Sequence, residues 1–302
     1  MAAIGQGGVG TTTTSTITND FIPLVNEARF HEEHATTMVK IVRREVLPKG
    51  RGDNIKIPKY GTFDDAQDGQ EGTDVTQSQK LSDAVSTITP TEIVVKAVVT
   101  KRTVDQRRSD VLKIIGKLMG DSMGRKEEKT GLTMLSGFSL GLGSAGTALN
   151  WEHIGAGRHA IRGGGGGAAA LVEPAPMASP ILNVSHPHQL WPLAKDLAAV
   201  GSTTPYPVGL SADIVKMGRV GKIQDVTTFE AGLLTIDSSD DAIGGMFAKD
   251  ALILVYGERE EYQDFRGALR AYEITMSRWL TFYEWNDSWG RSMTFDAVMP
   301  VS

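Results

Sequence analysis

Gly5-Gln6-Gly7-Gly8-Val9-Gly10-Thr11-Thr12 approximates a loop that cradles phosphate in one class of ATPase. In such a loop, backbone N–H groups wrap the phosphate, a lysine neutralises it and a hydroxyl holds magnesium. The deviant form of the loop reads K-G-G-x-G-K-[ST], and here Gln6 and Thr11 stand at both lysine positions. A threonine cannot supply the positive charge. The loop must also leave a buried strand and enter a helix, whereas residues 1–4 precede it and a Thr/Ser run follows it. The stretch therefore reads as a pliable polar arm, with a nucleotide-binding ATPase of the phosphate-loop class as the alternative.

The other candidates for chemistry fall short in the same way. His31-Glu32-Glu33-His34 places its histidines three apart, where the zinc-protease signature needs four, and no third ligand is evident. His186-Pro187-His188 could give half a metal site with His153 and His159, but nothing in the sequence brings them together. Pro187 more simply starts a helix. In the acidic stretch 64–74, Asp64, Asp68 and Gly69 suit a calcium loop, yet Ala66 and Val75 replace two required ligands. The glycine run 163–167 has no strand leading in and no lysine after it. The chain has no cysteine, which removes disulfides, thiolate zinc sites and cysteine nucleophiles. The expectation is a protein that is not an enzyme, with no catalytic, cofactor-binding or metal site.

Composition sets the class. Of 302 residues, 40% are hydrophobic and 22% charged, enough apolar surface for a substantial core. The net charge of -5 leaves no basic excess to drive nucleic-acid binding. No apolar run approaches the ~18 residues that cross a bilayer, and no signal peptide is visible, so no membrane partner is expected.

The elements that would position these residues can be read from periodicity. Residues 19–46 are weakly helical, through Phe21, Val25, Phe30, Met38, Val39 and Val42, and end at Pro48 and Gly50. Ile55, Ile57 and Lys59 alternate with Lys56 and Pro58 as in an exposed strand. After an acidic tip, residues 85–100 return as a Val/Ile/Thr-rich strand, making a long two-stranded excursion that needs support from elsewhere. Thr103 and Gln106 match a capping box, followed by Val111, Ile114, Ile115, Leu118, Met119 and Met123 at helical spacing. That helix should run to about Lys129, more weakly past Gly131. Residues 151–162 suggest a shorter helix stopped by Gly163 onward, 181–184 a buried strand, and 187–200 a helix stopped by Gly201. The last third reads as strands at 220–237, 250–257, 269–285 and 292–300. Together these give an α+β fold rather than a regular βαβ alternation.

The order of parts resembles the major capsid protein of tailed bacteriophages, with the Hong Kong 97-like fold. A polar arm precedes GDNIKIPKYG (52–61), which opens the extended loop; VDQRRSDVLKIIG (104–116) starts the long helix. ILNVSHPHQLWPLAKDL (181–197), VGKIQDVTTFEAGLL (220–234) and DALILVYG (250–257) carry the rest of the likeness. The resemblance implies an N-terminal arm at 1–45, an extended loop at 46–102 and a peripheral domain with its spine helix at 103–182. It also implies an axial domain at 183–250 and a return to the peripheral sheet at 251–302. It implies no cofactor, self-assembly into pentamers and hexamers of an icosahedral shell, and enclosure of DNA without sequence-specific binding. The location implied is the virion, after assembly in the host cytoplasm. A separate scaffolding protein is expected, because little chain precedes the arm, together with a portal; a decoration protein is left open. Arg51, Lys56, Lys59, Arg107 and Arg108 are the inter-subunit contact candidates. Another ring-forming virion or adhesion protein is a further alternative.

Overall fold

The computed structural model describes residues 11–12, 37–47, 54–60, 80–81, 83–106, 110–164, 174–198 and 222–299. In chain order these form β1 (Thr11–Thr12), α1 (Met38–Ile41), β2 (Arg43–Val46), β3 (Ile55–Tyr60), β4 (Asp83–Ile88) and β5 (Thr91–Thr100). Next come α2 (Lys101–Gln106), α3 (Asp110–Thr133), β6 (Gly141–Gly143), α4 (Trp151–Gly163), β7 (Ile181–Ser185) and α5 (Pro187–Ala198). The chain ends with β8 (Lys222–Ile223), β9 (Val226–Glu230), β10 (Asp241–Ala248), β11 (Leu252–Arg266), β12 (Ala271–Glu284) and β13 (Gly290–Asp296).

Two sheets organise the molecule. The first has the order β1-β5-β12-β11-β2 and the second β6-β13-β10-β7-β9-β8, while β3 and β4 pair only with each other. β11 and β12 form a long antiparallel ribbon from Leu252↔Glu284 to Arg266↔Ala271, with a bulge between Tyr256 and Arg259. The α3 helix lies on one face of the first sheet, where Met119, Met123 and Ile115 meet Ile93, Val95, Ala97, Ile274 and Met276. The period-2 alternation of β5 and β12 puts those residues on one side. The largest core spans both sheets, joining Leu132 of α3 and Leu135 of the 3-10 turn that follows it to Phe247, Met293 and Phe295 of the second.

Several expectations hold at the level of single residues. Gly164 ends α4 in the left-handed region at φ 67°, its N–H donating to the Ala160 carbonyl. Pro187 is the first residue of α5; the Asn150 cap at the start of α4 was not read from the sequence. All five residues of β7 are buried.

Others are corrected. The weakly helical stretch 19–46 is helical only at Met38–Ile41 among the described residues, and Arg43–Val46 runs parallel to β11 as a strand. Of the apolar residues that suggested one helix face, Met38 and Val39 lie in α1 and Val42 follows it, while Phe21, Val25 and Phe30 lie outside the described residues; Arg43 and Arg44 are exposed along a sheet edge. Thr103 is not a helix cap but a buried residue within α2; the Thr100 hydroxyl accepts the Thr103 N–H at 3.3 Å, three residues earlier than expected. The return strand 85–100 divides, its first part pairing with β3 and its second entering the main sheet against β12. β10 was not read from the sequence at all. Its Gly244-Gly245 pair suggests a turn, but a side-chain carbon at Gly244 would lie 2.5 Å from the Val184 carbonyl, so glycine permits close strand pairing.

Candidate functional site

No cluster of three or more His, Asp or Glu that could hold a metal occurs among the described residues. His186 and His188 do meet, with ring centroids 4.6 Å apart. Their contacts are structural: the His188 N–H donates to His186 Nδ1 at 3.1 Å, and His188 Nδ1 lies 3.2 Å from the Ala297 carbonyl. His153 sits apart in the cap of α4, against Phe295, and His159 is exposed on the same helix. His31 and His34, the acidic stretch 64–74, most of the first glycine-rich stretch and Gly165–Gly167 lie outside the described residues. Thr11 and Thr12 are extended, in register with Val98 and Val99, where a phosphate loop would begin a helix.

What the molecule does present is uncovered apolar surface on a rigid frame. The β3–β4 hairpin has two unlike faces. Ile55, Ile57 and Ile88 point inward onto Ile253, Val255, Tyr283 and Trp285. The outward face carries Lys56, Pro58 and Tyr60 opposite Thr87, Val85 and Asp83; Tyr60 is 59% exposed and Val85 56%. A free hairpin is marginal in water, so the inward face fixes this one.

The hairpin covers only part of the sheet face opposite α3. Further along the same face, Val94 is 53% exposed, Trp279 40% and Tyr262 61%. Beside them Lys96 pairs with Glu273 at 2.5 Å, and Arg266 pairs with the same carboxylate. The hydrogen bond from Lys96, with the nearby Arg266, holds Glu273 below the usual glutamate range. Trp191 of α5 adds a separate exposed aromatic, 55% open, on the second sheet's side.

The frame behind these surfaces is tied by charge. The Glu128 carboxylate, on α3, accepts the Met38 N–H with both oxygens at 2.8 and 3.1 Å, capping α1 in place of Thr37, whose hydroxyl donates to the Glu230 carbonyl instead. Burial pushes Glu128 up, against the pull of these N–H groups. Its neighbour Glu127 accepts from Arg278 at 3.0 Å, and that guanidinium lies 4.8 Å from the Tyr256 ring centroid.

Of the five contact candidates, Arg51, Arg107 and Arg108 lie outside the described residues. Lys56 is exposed on the outward face of the hairpin. Lys59 turns inward, its ammonium 5.8 Å from the Trp285 ring centroid. Sequence reasoning missed Val94, Trp279 and Tyr262. The signal for Val94 and Trp279 was alternation within 91–100 and 271–284 that leaves apolar residues on both faces.

No family model matches the sequence, and no curated protein matches it. Solved structures do. A chain from the head structure of Helicobacter pylori bacteriophage KHP40 superposes with a TM-score of 0.71 at 14% identity, covering 97% of this chain and all of that one (100%). The fold is that of phage capsid chains. The acid-stable capsid of Helicobacter pylori bacteriophage KHP30 gives 0.67 at 13% identity over 96% and 100% of the two chains. The capsid of Ralstonia phage GP4 gives 0.61 at 13% identity over 88% and 90%. At these identities the likeness resides in the path of the chain.

Proposed function

We propose that this chain is the major capsid subunit of a tailed double-stranded DNA phage, of the Hong Kong 97-like type, acting by self-assembly and not by catalysis. The observation that carries the reading is superposition on phage head and capsid chains over nearly the whole of both partners. The surfaces support it: a hairpin that exposes Tyr60 and Val85 on its outward face and a sheet face left half open suit a subunit completed by its neighbours. In this reading residues 1–45 are the arm, 46–102 the extended loop rooted in the sheet by β5, and 103–182 the peripheral domain with α3 as spine. Residues 183–250 form the axial domain and 251–302 the return to the peripheral sheet. Lys56 and the outward hairpin face contact a neighbouring subunit, with Arg51, Arg107 and Arg108 at related contacts. Pentamers and hexamers close the shell in the host cytoplasm with a separate scaffolding protein and a portal. A net charge of -5 keeps the chain from trapping the packaged DNA by counterion release.

Expression with and without a scaffolding protein, followed by negative-stain microscopy, tests this. Closed shells tens of nanometres wide are the expected product. Monomers alone, with scaffold present, would sink the reading, and saturable nucleotide binding would revive the ATPase alternative.

A further inference from the structure

β5 is covered at one end of its outer edge and bare along the rest. On its inner side it pairs with β12 along its whole length, from Leu280↔Thr91 to Ala271↔Thr100. On the outer side β1 runs parallel to it, in register at Thr11↔Val98 and Thr12↔Val99. Among the described residues nothing pairs with that side at 91–97. Burial follows the same division: Val98 and Val99 are buried, whereas every residue of 91–97 is half-buried or exposed. Such an edge offers a row of backbone N–H and C=O groups that another extended segment can pair.

The register says which segment of this chain fits. Carried back one residue at a time, it would set Gly10 beside Ala97, Val9 beside Lys96, Gly8 beside Val95, Gly7 beside Val94 and Ile4 beside Thr91. The chain that precedes Thr11 is therefore long enough to cover the whole bare edge. The two faces of the sheet agree with this register. Val95 and Ala97 lie on the face that α3 covers, packed near Met119 and Met123. The residues that would stand beside them are Gly8 and Gly10, which bring no side chain into that contact. Val9 would fall on the opposite, open face with Val94 and Lys96, and a slip of one residue would press it against α3 instead.

We propose that residues 4–10 extend β1 along β5 of the same chain, in this register, and close the edge of the first sheet. The glycine-rich arm then acts through its backbone, supplying N–H and C=O groups to β5 where its own side chains are too small to pack. Glycine also opposes strand formation, so the pairing is weak and reversible. While closed, it keeps the edge from pairing with a foreign strand. The inference concerns one subunit and does not rest on the capsid reading.

The chain has no cysteine, so an introduced pair reports the register directly. In the full-length chain carrying Gly7→Cys and Val94→Cys, mild oxidation should form a disulfide within one molecule, because both side chains would project from the same face of adjacent strands. With Gly8→Cys and Val94→Cys they would project from opposite faces, and the disulfide should form at least about tenfold more slowly. Equal rates in the two variants overturn the proposal. Disulfides formed only between molecules, seen as covalent dimers, give the edge to a second copy and overturn it too. Amide exchange then compares the wild-type chain with one lacking residues 1–10. Amides of 91–97 that face the outer edge should exchange about tenfold faster in the truncated chain, with α3 unaffected. Unchanged exchange at 91–97, or equal acceleration in α3, overturns the proposal.

Discussion

Two consecutive glutamates on α3 meet different partners: Glu127 pairs with Arg278 on β12, while Glu128 receives the N–H groups at the start of α1. Removing the second carboxylate strands buried donors that have no alternative acceptor in their own helix. Glu128→Ala should therefore lower unfolding free energy by about 1–3 kcal/mol, read from denaturant midpoints, and Glu128→Gln, which retains one acceptor oxygen, should recover part of the loss. Glycine gives a sharper contrast, because one substitution changes sign with its surroundings. At Gly245 a new Cβ would lie 2.8 Å from Leu135 Cδ2, so Gly245→Ala should destabilise by about 1–3 kcal/mol. At Gly116, inside α3, a new Cβ meets nothing within 4 Å. Gly116→Ala should stabilise by about 0.5–1 kcal/mol through helix propensity, and thermal unfolding of the two variants would check both signs.

At the scale of elements, the β3–β4 hairpin depends on a few side chains for its position. Ile88 is 2% exposed, against Ile253 and Val255. Ile88→Asp should undock the hairpin, accelerating amide exchange in 55–60 and 83–88 while leaving protection in α3 unchanged; uniform loss of protection would show that the hairpin is part of the core. The elements legible in the sequence are those with local punctuation: α4 stopped by the glycine run from Gly163, α5 from Pro187, and β7, all of whose residues are buried. Those that were not legible depend on distant partners. β2 is a strand because β11 offers it a parallel edge, and nothing within RREV announces that. Gly244 and Gly245 look like a turn until Val184 and Leu135 are seen pressed against them. The candidate surfaces were half legible for the same reason. The hairpin could be read from alternation, but the open face with Val94 and Trp279 exists only once β5 and β12 are paired.

For the molecule as a whole, exposed apolar residues that contribute little to the subunit should matter to its assembly. A Val94→Thr, Trp279→Ser double variant should change subunit stability by less than about 1 kcal/mol. It should still reduce the yield of closed shells, as sedimentation and negative-stain microscopy would show; shells at wild-type yield would exclude this face from the subunit contacts. The β11–β12 ribbon bears on how one chain can occupy unlike positions in a closed surface. Its 15-residue strand, at about 3.4 Å per residue, makes it about 50 Å long. β5 is hydrogen-bonded to β12 from Ala271↔Thr100 to Leu280↔Thr91 and α3 packs on the same strands, so the ribbon moves with them as one plate. A rotation of about 6° of a plate that long, about the segment that leads into β13, sweeps its far end through about 5 Å. The curvature of a shell built from such subunits would then be set at that pivot, by a few residues, while the plate itself stays whole.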